Sequence, residues 1–139
     1  MDKITNKEMV NIYSKIDILA RPTVETKPIT GDFSELGGIY GWVVNRRIVY
    51  IGKTENFSKR MEVHVKELLR LKSKSQKYNS NLKVEDISIA ILFETSEPNK
   101  ELLSISEQVA IDACGGVTCL LNGRNEMSYI RLIERIRRD

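Results

Sequence analysis

The sequence lacks the features that mark several classes of protein. Two cysteines, Cys114 and Cys119, are too few for a disulfide framework in a chain of 139 residues, so we expect both to be buried thiols. A single histidine argues against a zinc site built from cysteine and histidine. No apolar run approaches the ~18 residues of a membrane span, and the N-terminus carries no apolar signal segment. We therefore expect a cytoplasmic protein with no membrane partner.

Charge is distributed unevenly along a chain whose length corresponds to one domain. The formal net charge is only +3. Residues 40–77 carry ten basic and three acidic side chains, however, whereas residues 78–122 carry two basic and seven acidic ones. A basic segment of this kind indicates a face directed at a polyanion, and a solvated lysine-rich helix is the alternative interpretation.

The first half of the chain predicts a helix followed by a β-hairpin. Apolar residues recur at helical spacing from Thr5 to about Ala20, and Thr5 with Glu8 resembles a capping box. Residues 22–37 contain prolines and glycines, which predict an irregular connection. The apolar runs at 39–44 and 48–51 flank a polar turn at 45–47, the pattern of a hairpin.

The second half predicts helices around one further strand. Asn56 is a good N-cap for a helix through Leu69, whose polar tail at 72–81 is expected to leave the helix. Residues 86–94 predict a strand, 102–113 a helix closed by Gly115-Gly116, and 127–137 a last helix. The predicted fold is a small α/β (α+β) domain over 37–139 with a mostly antiparallel three-stranded sheet, preceded by an N-terminal helix and connecting segment over 1–36.

Two tyrosines and two basic side chains are expected to meet where the hairpin contacts the following helix. Tyr40 and Tyr50 lie on paired strands, so antiparallel pairing brings both phenols to one edge. Arg60 and His64 share one helical face at the rim of the core. Arginine binds two phosphate oxygens through its planar fork, which predicts a phosphate site, whereas packing tyrosines and a core histidine are the structural alternative.

One acidic residue is expected to need a partner. Glu107 has apolar neighbours three and four residues away on its helix, where an unpaired carboxylate costs several kcal/mol. A Mg²⁺ site is one solution, because this ion often takes only one or two protein carboxylates. A salt bridge to an arginine is the other.

These residues together resemble a known family. GIY at 38–40, YIG at 50–52, Lys53, Arg60, His64, Glu107 and LLNGRN at 120–125 are similar in order and spacing to the GIY-YIG nuclease domain, over roughly residues 37–126. The short interval between the tyrosines is similar to that of the excision-repair nucleases of this family. The resemblance implies a GIY-YIG-like fold and a metal-dependent endonuclease that uses Mg²⁺ or Mn²⁺.

The resemblance also implies a role for each matched residue. One of Tyr40 and Tyr50 would act as general base on the attacking water, and the cations Lys53 and Arg60 would lie near the scissile phosphate. His64 would orient groups or relay a proton, and Glu107 would be the single carboxylate that binds the metal. Asn122 matches a structural asparagine near the site, with Asn125 as the neighbouring alternative. Because a free tyrosine with a pKa of ~10 is a poor base, we expect Lys53 and the metal to favour its phenolate form.

The expected substrate is DNA, with RNA kept open. Phosphate contacts are predicted for basic residues of the hairpin turn, the following helix and the C-terminal part, namely Arg46, Arg47, Lys59, Lys66, Arg70 and Arg124. Restriction, phage or repair nucleases, an RNA-cleaving toxin nuclease and a homodimer all fit the sequence. The alternatives are a nucleic-acid-binding module without turnover and a protein-interaction domain, which would leave the basic segment unexplained.

Overall fold

A computed structural model describes residues 4–18, 25–74 and 86–114 of the chain. Several predictions concern residues outside these ranges: the last helix over 127–137, the stop at 115–116, Cys119, Asn122, Asn125 and Arg124. Within the described ranges the fold is α+β, with three helices and a four-stranded antiparallel sheet. The elements in chain order are α1 (Asn6–Ile18), β1 (Lys27–Pro28), β2 (Gly37–Val44), β3 (Arg47–Thr54), α2 (Phe57–Lys74), β4 (Ser88–Thr95) and α3 (Lys100–Ala113).

The sheet contains one strand more than the three that the sequence predicts. Its order is β1-β4-β2-β3, and every neighbouring pair is antiparallel. The additional strand is only two residues long, with Lys27 opposite Ile89 and Pro28 opposite Ser88. A proline is tolerated here because β1 is at the edge of the sheet, where one side needs no N–H donor. The expectation of an irregular connection over 22–37 is therefore wrong at these two positions and at Gly37, where β2 begins.

The predicted hairpin is confirmed, with a tighter turn. Asn45 and Arg46 have positive φ angles of 52° and 66°, the conformation of a two-residue type I′ turn. Arg47, expected in the turn, begins β3 and lies opposite Val44. Type I′ turns suit the right-handed twist of paired strands, which accounts for the short connection.

The helices begin where their capping residues predict. Thr5 Oγ1 accepts from the Glu8 backbone N–H at 3.1 Å, and Glu8 Oε2 accepts from that of Thr5 at 3.2 Å, which confirms the capping box. Asn56 Oδ1 accepts from the backbone N–H of Lys59 at 3.0 Å, so Asn56 caps α2 as expected. The helix α2 continues through Lys74, so the expectation that residues 72–74 leave the helix is wrong.

The sheet separates two apolar clusters, which gives the domain three layers. Phe57, Met61 and Leu68 of α2 pack with Tyr40 and Trp42 on one face. On the other face, residues of α1 and α3 pack against Ile39, Ile51 and Leu92. No helix within the described ranges is long and apolar enough to cross a membrane.

Candidate active site at the edge strand

The hairpin register places the two tyrosines on the same face of the sheet. Tyr40 lies opposite Gly52, and Tyr50 lies opposite Trp42, so the tyrosines are diagonal neighbours. Their ring centroids are 6.4 Å apart, as expected for side chains that meet on one face. A Cβ atom on Gly52 would come within 2.4 Å of the Tyr40 hydroxyl oxygen. Glycine at position 52 therefore leaves the space that the Tyr40 phenol occupies.

His64 lies deeper than the sequence suggests. Its side chain is only 2% exposed and is surrounded by the rings of Tyr40, Trp42 and Tyr50. A hydrogen bond of 2.6 Å joins His64 Nε2 to Tyr40 Oη. Burial, and secondarily the charge of Arg60, lowers the pKa of His64 to about 3. The expectation of a histidine at the rim is wrong, and the imidazole is neutral at physiological pH.

Arg60 connects the two tyrosines from helix α2. Its Nε donates to Tyr40 Oη at 3.4 Å, and it lies close enough to the half-buried Tyr50 to influence the pKa of that phenol. Burial is the largest influence on the pKa of Tyr50 and raises it, and the negative charge of Glu107 acts in the same direction. The positive charge of Arg60 and hydrogen bonding with Arg60 and Tyr40 lower this pKa. Burial prevails, so the net shift disfavours the phenolate. Arg60, rather than the expected Lys53, is the cation that acts on this phenol.

Lys53 and Glu107 form a separate pair. Lys53 Nζ lies 4.0 Å from Glu107 Oε1 and donates a hydrogen bond of 3.0 Å to Ser104 Oγ. The side chains of Lys53 and Glu107 are 44% and 25% exposed. Burial raises the pKa of Glu107, and the charge of Lys53 lowers it. Lysine, not the arginine considered from the sequence, is the ion-pair partner of Glu107 within the described residues.

The predicted site thus has two parts on opposite faces of β3. Side chains alternate along a strand, so Lys53 projects away from the face that carries Tyr50. Tyr40, Tyr50, Arg60 and His64 form the part that faces α2, which we call the aromatic cluster. The Lys53 and Glu107 pair faces α3. Because Glu107 still raises the pKa of Tyr50, the two parts interact electrostatically.

The predicted phosphate-binding residues lie on the hairpin and one side of α2. Arg46 is exposed at the hairpin turn. Lys59, Lys66 and Arg70 are exposed and spaced by seven and four residues, which places them on a single stripe of α2. Arg70 also pairs with Glu67 at 2.8 Å. The Arg47 side chain and all of Arg124 lie outside what the structure describes.

Three residues near the site carry no predicted role from the sequence. Trp42 packs against Tyr50 and His64, with ring centroids 5.5 and 5.0 Å apart. Trp42 comes two residues after Tyr40, and residues at this spacing in a strand lie on the same face, so the sequence could have placed Trp42 in this cluster. Ser104, one helical turn before Glu107, holds Lys53. Gly52, already visible in the YIG tripeptide, makes room for Tyr40.

Glu107 fits the one-carboxylate type of magnesium site. The carboxylate is half-buried and accepts no hydrogen bond from the described residues, and its ion pair with Lys53 is at the long distance of 4.0 Å. Such a group keeps oxygen lone pairs for a cation, and Mg²⁺ commonly uses one or two protein carboxylates with water and phosphate oxygens. The described residues contain no cluster of three or more acidic, histidine or cysteine ligands, so a site enclosed by protein ligands is not present in that part of the chain.

Comparisons with protein-family models, with curated proteins and with solved structures found no match to this chain.

Proposed function

We propose that the protein is a metal-dependent endonuclease that hydrolyses DNA phosphodiester bonds. The observation that carries the proposal is the aromatic cluster, in which Arg60 and His64 both hydrogen-bond to Tyr40 and the charge of Arg60 acts on Tyr50. A half-buried guanidinium group beside a half-buried phenol suits a phosphate and a reactive water at the same place. The resemblance of the sequence to GIY-YIG nucleases, together with the α+β fold, supports the same function.

The geometry favours Tyr50 over Tyr40 as the group that contacts the attacking water. Tyr40 is 0% exposed and is hydrogen-bonded to His64, whereas Tyr50 is half-buried. In this proposal Arg60 binds equatorial phosphate oxygens and Tyr50 accepts the proton of the water. Glu107 would hold the divalent cation, which would neutralise charge on the leaving 3′ oxygen. Tyr40, which is held by its hydrogen bond to neutral His64, fixes the position of Arg60.

The raised pKa of Tyr50 predicts a pH dependence. At neutral pH the phenol is mostly protonated, so only a small fraction is the competent base. We therefore expect the cleavage rate to rise with pH through the alkaline range. Tyr50→Phe should lose this rise together with most of the rate, because the substitution removes the hydroxyl and keeps the ring. A rate in Tyr50→Phe that still rises as in wild type would rule out Tyr50 as the base.

A nucleic-acid-binding module without turnover is the second candidate function. The observation that favours it is that burial stabilises the protonated form of Tyr50 in the protein on its own. Such a module would bind DNA with an affinity that falls with salt and would give no product with any divalent cation.

Cleavage of supercoiled plasmid tests the proposed function. Wild type, Glu107→Gln and the control Glu101→Gln are incubated with Mg²⁺, Mn²⁺ or EDTA, and nicked and linear products are quantified on gels. Glu101 is exposed in the first turn of the same helix, six residues before Glu107, so its substitution removes one carboxylate of α3 and leaves Glu107 in place. We expect metal-dependent cleavage by wild type and Glu101→Gln, and at least a hundredfold loss in Glu107→Gln.

Each other outcome of the plasmid assay has a defined meaning. Undiminished cleavage by Glu107→Gln would refute the metal-binding role of this residue. If wild type does not cleave the plasmid, the assay is repeated with branched DNA and RNA hairpins. A product from RNA alone would identify an RNA nuclease. Salt-dependent binding without product from any substrate would favour the binding module.

A further inference from the structure

Lys53 occupies a position that the proposed metal-dependent function leaves unexplained. Its ammonium group lies on the α3 side of the sheet, 3.0 Å from Ser104 Oγ and 4.0 Å from Glu107 Oε1. Ser104 and Glu107 are three residues apart on α3, so both face Lys53 from adjacent turns of one helix. The lysine therefore lies against the single carboxylate that would hold the cation.

A divalent cation on Glu107 and the ammonium group of Lys53 would repel each other. Magnesium lies about 2.1 Å from a carboxylate oxygen. With Lys53 Nζ 4.0 Å from Oε1, a cation bound to that oxygen is no more than about 6 Å from the ammonium group. Even at the dielectric constant of water, repulsion between charges of +1 and +2 at this distance corresponds to about a tenfold change in a binding constant.

We propose that Ser104 is a positioning residue that holds Lys53 against Glu107, so that the lysine ammonium group and the divalent cation compete for this carboxylate. Metal binding then releases Lys53 from Ser104 and frees its charge for a substrate phosphate. The inference rests on the proposed function for the identity of the metal ligand, but it concerns the metal affinity of the protein without DNA.

The exposure of the pair is consistent with such an exchange. The Lys53 side chain is 44% exposed, so it can leave Glu107 and be rehydrated at small cost. A hydrogen bond to a neutral serine hydroxyl is easily broken, and its loss leaves no buried group unpaired.

Isothermal titration of the untagged protein with Mn²⁺ at low ionic strength tests the proposal. We expect Lys53→Met to bind Mn²⁺ about tenfold more tightly than wild type. Lys100→Met is the matched control, because Lys100 is exposed on α3 about 10 Å along the helix from Glu107. Because the repulsion falls with distance, removing this charge should change the affinity by about fourfold at most, clearly less than the Lys53 substitution.

Two serine variants separate positioning from a general charge effect. Ser104→Ala keeps every charge and removes only the hydrogen bond to Lys53, so we expect about twofold to fivefold tighter Mn²⁺ binding. Ser104→Thr keeps the hydroxyl and should restore the wild-type affinity. Circular dichroism confirms that each variant is folded.

The proposal is overturned by any of three results. Lys53→Met or Ser104→Ala could leave the affinity unchanged or weaken it, the Lys100 control could match the Lys53 variant, or wild type could bind no Mn²⁺. Failure of the proposed nuclease function is distinguishable, because it appears as absent cleavage in a protein whose Mn²⁺ affinity still responds to Lys53 and Ser104.

Discussion

The substitution Gly52→Ala is the sharpest test of the aromatic cluster. A Cβ at position 52 would lie 2.4 Å from both Cζ and Oη of Tyr40, far inside van der Waals contact. The Tyr40 ring cannot retreat freely, because it is 0% exposed and its hydroxyl is hydrogen-bonded to His64. The methyl group therefore forces Tyr40 away from His64 or shifts the edge strand β3.

The expected cost follows from overpacking in a closely packed interior. Inserting one methyl group into such a site destabilises a protein by about 1–3 kcal/mol. For a domain of this size, that corresponds to a decrease in Tm of about 3–10 °C. Gly41→Ala is the matched control on the partner strand, because its Cβ would meet Ile48 atoms at an ordinary 3.5–3.7 Å. We expect Gly41→Ala to keep or slightly raise the Tm, since glycine in a strand interior is unfavourable.

Thermal unfolding and nuclear magnetic resonance measure the two consequences separately. The chain has one histidine, so an untagged, ¹⁵N-labelled sample gives a single set of imidazole signals that reports the bond to Tyr40. Gly52→Ala should shift these signals, whereas Gly41→Ala should not. A Gly52→Ala protein with wild-type Tm and an unshifted His64 signal would refute the proposed reason for glycine at this position.

Three further predictions follow from burial, capping and backbone geometry. Because burial and the charge of Arg60 lower the pKa of His64 to about 3, its imidazole signals should not titrate between pH 5 and 8. In the unfolded chain the histidine takes up a proton near pH 6.5. The contribution of His64 to the free energy of unfolding is therefore complete above that pH and is lost as the pH falls towards 3. Urea unfolding should show a decrease of up to about 1.4 kcal/mol per pH unit in this range. Asn56→Ala should destabilise the fold by about 1 kcal/mol through loss of the α2 cap, and Asn56→Asp should not, as thermal unfolding will show. Gly38→Ala should prevent soluble expression, because Gly38 has a φ of 154° and a Cβ at this position would lie 1.8 Å from the Phe93 carbonyl oxygen. A wild-type yield of soluble protein would contradict this backbone conformation.

Local patterns in the sequence were sufficient to predict most of the described elements. The helices α2 and α3 have apolar residues at helical spacing, the hairpin strands and β4 are short apolar runs, and α1 has a reciprocal capping box. The strand β1 is not predicted because a segment of two residues is too short to show a pattern. Its pairing with β4 depends on contacts some sixty residues away in the sequence, which local reasoning does not see.

The candidate site was predicted as a set of residues rather than as an arrangement. His64 is buried because the Trp42 and Tyr50 rings of the hairpin pack over its side chain. The pattern of apolar residues within α2 does not show this packing. The position of Lys53 was, by contrast, available from the sequence. It comes three residues after Tyr50, and strand alternation alone places side chains at that spacing on opposite faces.

The two parts of the site differ in rigidity, and this difference matches what hydrolysis of a phosphodiester requires. Tyr40 and His64 are 0% and 2% exposed, so water does not replace their hydrogen bond when it breaks, and its loss would cost about 1–3 kcal/mol. Lys53 and Glu107 are more exposed and lie 4.0 Å apart, and such pairs contribute at most about 1 kcal/mol. The side that faces α2 can therefore hold Arg60 and Tyr50 in one geometry, while the side that faces α3 can exchange partners. Because β3 is the edge strand of the described sheet, a substrate that reaches its outer edge is adjacent to both.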